Sequence, residues 1–251
     1  MEQIDLVKHA LQGLTSTPTG PTSADRNYLT LKAAQEIVDE TISYASDQGD
    51  EEIHEYLKGH RKRLAHSLAM IPAAKSNASS CLDVGCYGYM AFWAWKYLGY
   101  QRVDGIELRP DVADASILRR VQLNDETLEF KAYNFDLSSP DWPLRQKYDT
   151  VLCFETLEHI NTDPMGVMAN INHAMTAEGI LVMSVPNGVS YKTLKEFLSG
   201  MPPWTYWFYH PDLSHEPRHC FEYTPIVFKV LLEAAGFDEN YFRTIYAYSD
   251  P

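Results

Sequence analysis

From Ser80 onward, short apolar runs alternate with stretches whose apolar residues recur every three or four positions, whereas the first 75 or so residues show only the second pattern. Short apolar runs bounded by turn residues read as buried strands, and three-and-four spacing reads as amphipathic helix. The alternation therefore predicts βαβ units around a mainly parallel sheet. Strands are expected over Ser80 to Val84, Arg102 to Glu107, Leu128 to Asn134, Tyr148 to Phe154, Gly179 to Val185 and Tyr241 to Tyr248. Helices are expected over Met90 to Leu98, Asp111 to Leu123, Pro164 to Met175, Ser190 to Leu198 and Thr224 to Ala235, with Gly99 and Gly236 as C-terminal caps. Ahead of them, Asp5 to Gly13, Asp25 to Gln48 and Glu51 to Ala74 read as helices, with Ser23 or Asp25 as an N-cap for the second. The small polar run Ser76 to Ser80 marks the expected boundary. Residues 1–75 would form a helical accessory cap, and 76–251 an α/β domain whose doubly wound, mainly parallel sheet carries helices on both faces.

Composition narrows the function classes. The 251 residues, 45% hydrophobic and 22% charged, suffice for one large α/β core. The longest apolar runs, such as Gly179 to Val185, fall well short of the roughly 18 to 20 residues of a membrane span, and the N-terminus lacks the pattern of a signal peptide. A cytoplasmic protein is expected. Thirty-four acidic against 21 basic residues give a formal charge of -13, which disfavours nucleic acid as a partner. The basic run His60 to Arg63 reads as the solvated face of a helix. Cys81, Cys86, Cys153 and Cys220 are too few and too scattered for a disulfide framework, and reduced thiols are expected.

In an open α/β sheet, ligands bind beyond the carboxyl ends of the strands, so those ends carry the candidate chemistry. After the first expected strand comes Gly85-Cys-Tyr-Gly88, where glycine lets backbone approach a ligand and the amides of the next helix can hold a carboxylate or phosphate. The second ends in Glu107, whose carboxylate can accept hydrogen bonds from both hydroxyls of a ribose. Past Leu128 to Asn134, Phe135 can stack on a flat base and Asp136 can accept from an exocyclic amine; the alternative for Asp136 is a turn initiator. Tyr148 to Phe154 runs into Glu155-Thr-Leu-Glu-His-Ile160. In this block His159 suits an acceptor-facing acid or base near neutral pH, or a helix-start residue bonded to backbone, and Glu155 could anchor a cationic acceptor.

The segment from about 187 to 224 is longer than a connection needs and holds Pro202-Pro-Trp-Thr-Tyr-Trp-Phe-Tyr-His210. Such a density of rings reads as an apolar lid over a ring-bearing acceptor, or as a patch covering the N-terminal helices. His210, His215 and His219, with Asp212 and Glu216, invite a metal reading. Pro211 and Pro217 preclude a regular helix that would set histidines four apart, and no H-E-x-x-H pattern is present, so no metal is expected. His215 and His219 are read instead as facing the acceptor pocket.

Taken in order, Leu82-Asp-Val-Gly-Cys86, Gly105-Ile-Glu107, Asp136, Tyr148-Asp-Thr-Val151, Leu157-Glu-His-Ile160, Gly179 to Asn187 and Phe221-Glu-Tyr-Thr224 ahead of Ala235-Gly-Phe237 resemble the class I S-adenosylmethionine-dependent methyltransferases of the small-molecule, methyltransferase 11/23-like type. The resemblance spans roughly residues 80 to 240. It implies a Rossmann-like fold, S-adenosylmethionine as cofactor, and methyl transfer to oxygen or nitrogen of a small metabolite such as a sugar, a natural product or another ring-bearing acceptor. Asp83, Gly85, Cys86, Tyr87 and Gly88 would lie against the methionine part, Glu107 and Leu108 against the ribose, Phe135 and Asp136 against the adenine, and Phe154 and Glu155 beside them. His159, Glu155, His219 and His215 would be the catalytic candidates. A nicotinamide dehydrogenase would need the G-x-G-x-x-G fingerprint, which is absent. Tyr87 and Tyr89 stand where this family's loop usually carries glycine. Two readings follow: a displaced loop that uses Gly88, or a degenerate loop in a non-catalytic binding or assembly module. A homodimer is compatible with either.

Overall fold

The computed structural model describes residues 27–201, 219–239 and 241–246. The expected helix Asp5 to Gly13, the proposed caps Ser23 and Asp25, the ring-rich run Pro202 to His210 and His215 lie outside the described residues. Three helices come first: α1 (Leu31–Asp47), α2 (Glu51–Gly59) and α3 (Arg61–Met70). Thr30 starts α1 by accepting a hydrogen bond from the Ala33 amide, and Asp50 does the same for α2 through Ile53. The expected helix Glu51 to Ala74 is thus two helices that turn at His60.

The α/β part follows as β1 (Ser80–Val84), α4 (Tyr89–Leu98), β2 (Arg102–Glu107), β3 (Ser116–Leu123), β4 (Glu126–Asn134), β5 (Tyr148–Phe154), a single 3₁₀ turn over Leu157–His159, α5 (Pro164–Ala174), β6 (Met175–Ser184), α6 (Tyr191–Leu198) and α7 (Pro225–Ala234). The strands form one sheet in the order β3-β4-β2-β1-β5-β6. All neighbours are parallel except β3 and β4. Gly99 and Gly236 close their helices with φ of 81° and 83°, in the left-handed region glycine enters without steric cost.

Two expectations are corrected. Asp111 to Leu123 holds the antiparallel edge strand β3 instead of a helix. Ile117, Leu118 and Val121 mimic helical spacing, but Ile117, Arg119, Val121 and Leu123 also alternate with outward Leu118, Arg120 and Gln122. The tie is broken by Asn124, which takes φ 54° in a two-residue turn and lets β3 pair with β4 through Leu123 and Glu126. The strand expected over Tyr241 to Tyr248 is not formed within 241–246, which have no regular structure. Phe242 instead packs on the core, and Arg243 approaches His66 Nδ1 at 2.7 Å.

Every residue of β1 is buried, as expected of a central parallel strand. Its alternate side chains feed two cores. Cys81 joins a cluster with α1, α3 and α4, whereas Leu82 and Val84 join one with α5 and α7. Met90 to Ala94 in α4 are buried without a break, because this helix has the sheet on one side and the N-terminal helices on the other. Trp93 is fully buried, and its indole N–H donates to Thr41 Oγ1 in α1 at 3.1 Å. The N-terminal helices therefore share a continuous apolar core with the sheet.

Candidate active site

Local hydrogen bonding draws the ends of β1, β2, β4, β5 and β6 together. The amides of Gly85 and Cys86 both donate to Ile106 O, at 3.0 and 2.8 Å, and the Phe135 amide donates to Glu107 O at 3.2 Å. Thr156 Oγ1 donates toward Val84 O, and the Glu155 amide donates to Ser184 O at 2.9 Å. Gly85 has φ 74°, and a Cβ there would lie 2.2 Å from Thr156 Oγ1. Its glycine thus satisfies packing between two strand-end loops as well as a turn. Glu155 has φ 48°, uncommon for a residue with a side chain and a form of strain that clusters at functional sites. Ser184 Oγ donates to its Oε1 at 2.6 Å.

Two carboxylates, one buried and one partly buried, lie at this junction with oxygens left over. Asp83 is 4% exposed and its Oδ2 has no hydrogen-bond partner among the described residues; burial pushes its pKa up to about 7, against hydrogen bonds from Cys86 and the Ala91 amide. Glu107 also has an oxygen, Oε1, without a hydrogen bond, with Arg119 Nε of β3 at 3.6 Å. The Cys86 thiol is pushed well above its ordinary range, by burial first and then by the Asp83 charge, so it is an apolar spacer and not a nucleophile.

The other expected residues fall in different places. The Tyr87 ring stacks on Tyr56 of α2 with centroids 4.5 Å apart, and Tyr89 packs near Trp93 against the N-terminal core. The two rings that replace glycine in the loop are thus accommodated by the helical segment. Leu108 is exposed, Phe135 rests beside Trp142, and the exposed Asp136 accepts from the Ser138 amide and hydroxyl, the turn-initiator role weighed for it. Phe154 is partly buried at the end of β5. His159 and His219 come together across the sequence, with ring centroids 5.0 Å apart.

The sequence reading missed several residues here. Arg63, expected on a solvated face, is only 8% exposed, and its Nη1 lies 4.0 Å from Glu155 Oε2. Asn134 holds the loop after β2 by accepting from the Arg109 amide and donating to the Arg109, Val112 and Asp114 carbonyls. Glu158 is 1% exposed with neither carboxylate oxygen hydrogen-bonded among the described residues, and burial followed by the Glu155 charge pushes its pKa up to about 9. The available signal was a glutamate inside an apolar turn, Leu157-Glu-His-Ile160. Glu222 approaches His219 Nδ1 at 2.7 Å, three residues along the same segment.

A family model for a methyltransferase domain, Methyltransf_23, matches residues 54–239. The chain belongs to that family, within the class I S-adenosylmethionine-dependent methyltransferases, with S-adenosylmethionine as cofactor. No curated protein sequence matches the chain. Among solved structures, it is similar to a putative methyltransferase of Haloferax volcanii in complex with the Trm112 activator, with 14% identity, 78% of this chain and 75% of that chain covered and a TM-score of 0.46. It is also similar to a SAM-dependent methyltransferase from Archaeoglobus fulgidus, with 17% identity, 81% and 74% coverage and a TM-score of 0.41.

Proposed function

We propose that this chain transfers the methyl group of S-adenosylmethionine to oxygen or nitrogen of a small metabolite. The observation that carries the reading is the pair of carboxylates, buried Asp83 and partly buried Glu107, each with a buried oxygen lacking a hydrogen bond among the described residues, at the ends of adjacent parallel strands. A buried acceptor without a donor is costly, and a ligand offering donors removes that cost. Asp83 and the turn from Gly85 through Cys86 and Tyr87 to Gly88 would hold the methionine part at the N-terminus of α4. Glu107 would take the ribose hydroxyls beside Leu108. Phe135 supplies a flat ring for the adenine, and Asp136 keeps Oδ2 for its exocyclic amine, Oδ1 being bonded to Ser138. Phe154 would close the pocket at the end of β5.

The cofactor supplies an electrophilic methyl on a sulfonium. What the chain contributes is placement of the acceptor, with a base only where the nucleophile is protonated. Glu155, His159 and His219 would line the acceptor side, joined in this reading by His215. The net charge of -13 supports a small metabolite over nucleic acid. The stacking of Tyr87 on Tyr56 supports a displaced, working loop over a degenerate one.

A crystal soaked with S-adenosylhomocysteine tests the reading. The ribose is expected at Glu107 and the homocysteine end at Asp83 and Gly88. A ligand bound away from these strand ends would overturn it.

A further inference from the structure

We propose that Glu158, His159 and His219 form a binding site for a divalent transition-metal ion such as Zn²⁺, Mn²⁺ or Co²⁺. One ligand-capable atom from each of the three lies within 4.8 Å of the other two. Two imidazoles and a carboxylate suit borderline ions of this kind better than Mg²⁺ or Ca²⁺, which favour all-oxygen sets.

The independent observation is Glu158 itself. Its side chain is 1% exposed, and neither oxygen accepts a hydrogen bond among the described residues. His159 Nε2 is the neighbouring nitrogen, 3.8 Å from Glu158 Oε1 and beyond hydrogen-bond range. A cation held between the two satisfies the carboxylate in a way that an ordinary packing role for Glu158 does not.

The surroundings orient the set. His219 Nδ1 is engaged by Glu222 Oε1 at 2.7 Å, which leaves Nε2 for an ion and matches the carboxylate-histidine-metal arrangement that fixes a ligand's tautomer. The segment bearing His219 is tied down on both sides. The Cys220 and Phe221 amides donate to Glu158 O at 2.6 and 3.2 Å, and the Gly188 amide donates to Tyr223 O at 2.9 Å. A Cβ at Gly188 would lie 3.0 Å from Glu222 Cβ, so the loop after β6 packs directly on the backbone and Cβ of Glu222. Spacing within 210–219, on which the expectation of no metal rests, does not bear on this set. The cluster instead joins the 3₁₀ turn after β5 to a return segment 60 residues later. This inference goes beyond the methyl-transfer reading, since the ligand set takes its ion whether or not a methyl donor binds.

Calorimetric and visible-absorption titration of the chelator-treated full chain with Co²⁺ and Zn²⁺ tests it. One equivalent is expected, with a ligand-field absorption band for Co²⁺. Glu222→Gln, a change to a positioning residue, is expected to weaken uptake about tenfold or more. Glu158→Gln and His219→Ala are expected to weaken it further. Glu158→Gln decides the outcome, because it is isosteric and leaves the turn filled. Less than one equivalent bound by the wild-type chain, or uptake that Glu158→Gln leaves unchanged, would overturn the site. S-adenosylhomocysteine binding in chelating buffer, measured on the same samples, reports the cofactor reading separately.

Discussion

At Gly85 a backbone demand and a packing demand meet, because φ is 74° and Thr156 occupies the space a Cβ would take. Gly85→Ala is expected to cost about 1–3 kcal/mol, read as a lower thermal midpoint. Thr156→Ala in the same chain should recover part of the loss, so a double-mutant cycle reports positive coupling; strict additivity would place the cost elsewhere. His60, where α2 turns into α3, carries a different signature. Burial, and then the charge of Arg63, lower its pKa to about 4 from an ordinary 6.5. Between those values the unfolded chain takes up a proton that the folded chain refuses. The contribution of His60 to stability is therefore full above pH 6.5 and declines as pH falls toward 4. Denaturant titrations at pH 7 and pH 5 should show a smaller difference for His60→Gln than for wild type; equal differences would contradict the assignment.

At the scale of elements, the β3-β4 hairpin replaces the helix that Ile117, Leu118 and Val121 suggest. Its turn depends on Asn124 at φ 54°, with Nδ2 donating to Glu40 Oε1 of α1 at 2.7 Å. Asn124→Val places a β-branched residue in the left-handed region and should cost about 1–2 kcal/mol, whereas Asn124→Gly should cost less. Equal losses from both would shift the weight from conformation to the Glu40 contact. The strands β1, β2 and β5 were legible because short apolar stretches, each interrupted by one acid (Asp83, Asp104 and Asp149), lead into Gly85, Glu107 and Glu155. β3 was not, since arginines at 119 and 120 allow both periods and only pairing with β4 decides between them. The site follows the same division. Asp83 and Glu107 sit at strand ends that the pattern marks, whereas Arg63 and Glu158 are charged residues whose burial depends on packing across elements distant in sequence. Tyr87 and Tyr89 were legible as departures from glycine, but Tyr56, on which Tyr87 stacks, was not.

For the whole molecule, Trp93 is the pivot, fully buried between the sheet and α1 and hydrogen-bonded to Thr41. Trp93→Ala is expected to destabilise by about 3–5 kcal/mol and to lower helical and tertiary signals in one transition, because both sides share that core. A separate early loss of helix alone would show the N-terminal helices to be an independent unit. No helix among the described residues is long and apolar enough to cross a membrane. The cofactor site proposed for this sheet is centred on Glu107, at the end of β2. Calorimetry with S-adenosylmethionine and S-adenosylhomocysteine tests that claim most directly. Saturable binding of both is expected, weakened by about 10- to 100-fold in Glu107→Ala, the scale of hydrogen bonds to a charged group. Absence of binding at millimolar concentration, or an affinity unchanged by Glu107→Ala, would contradict it.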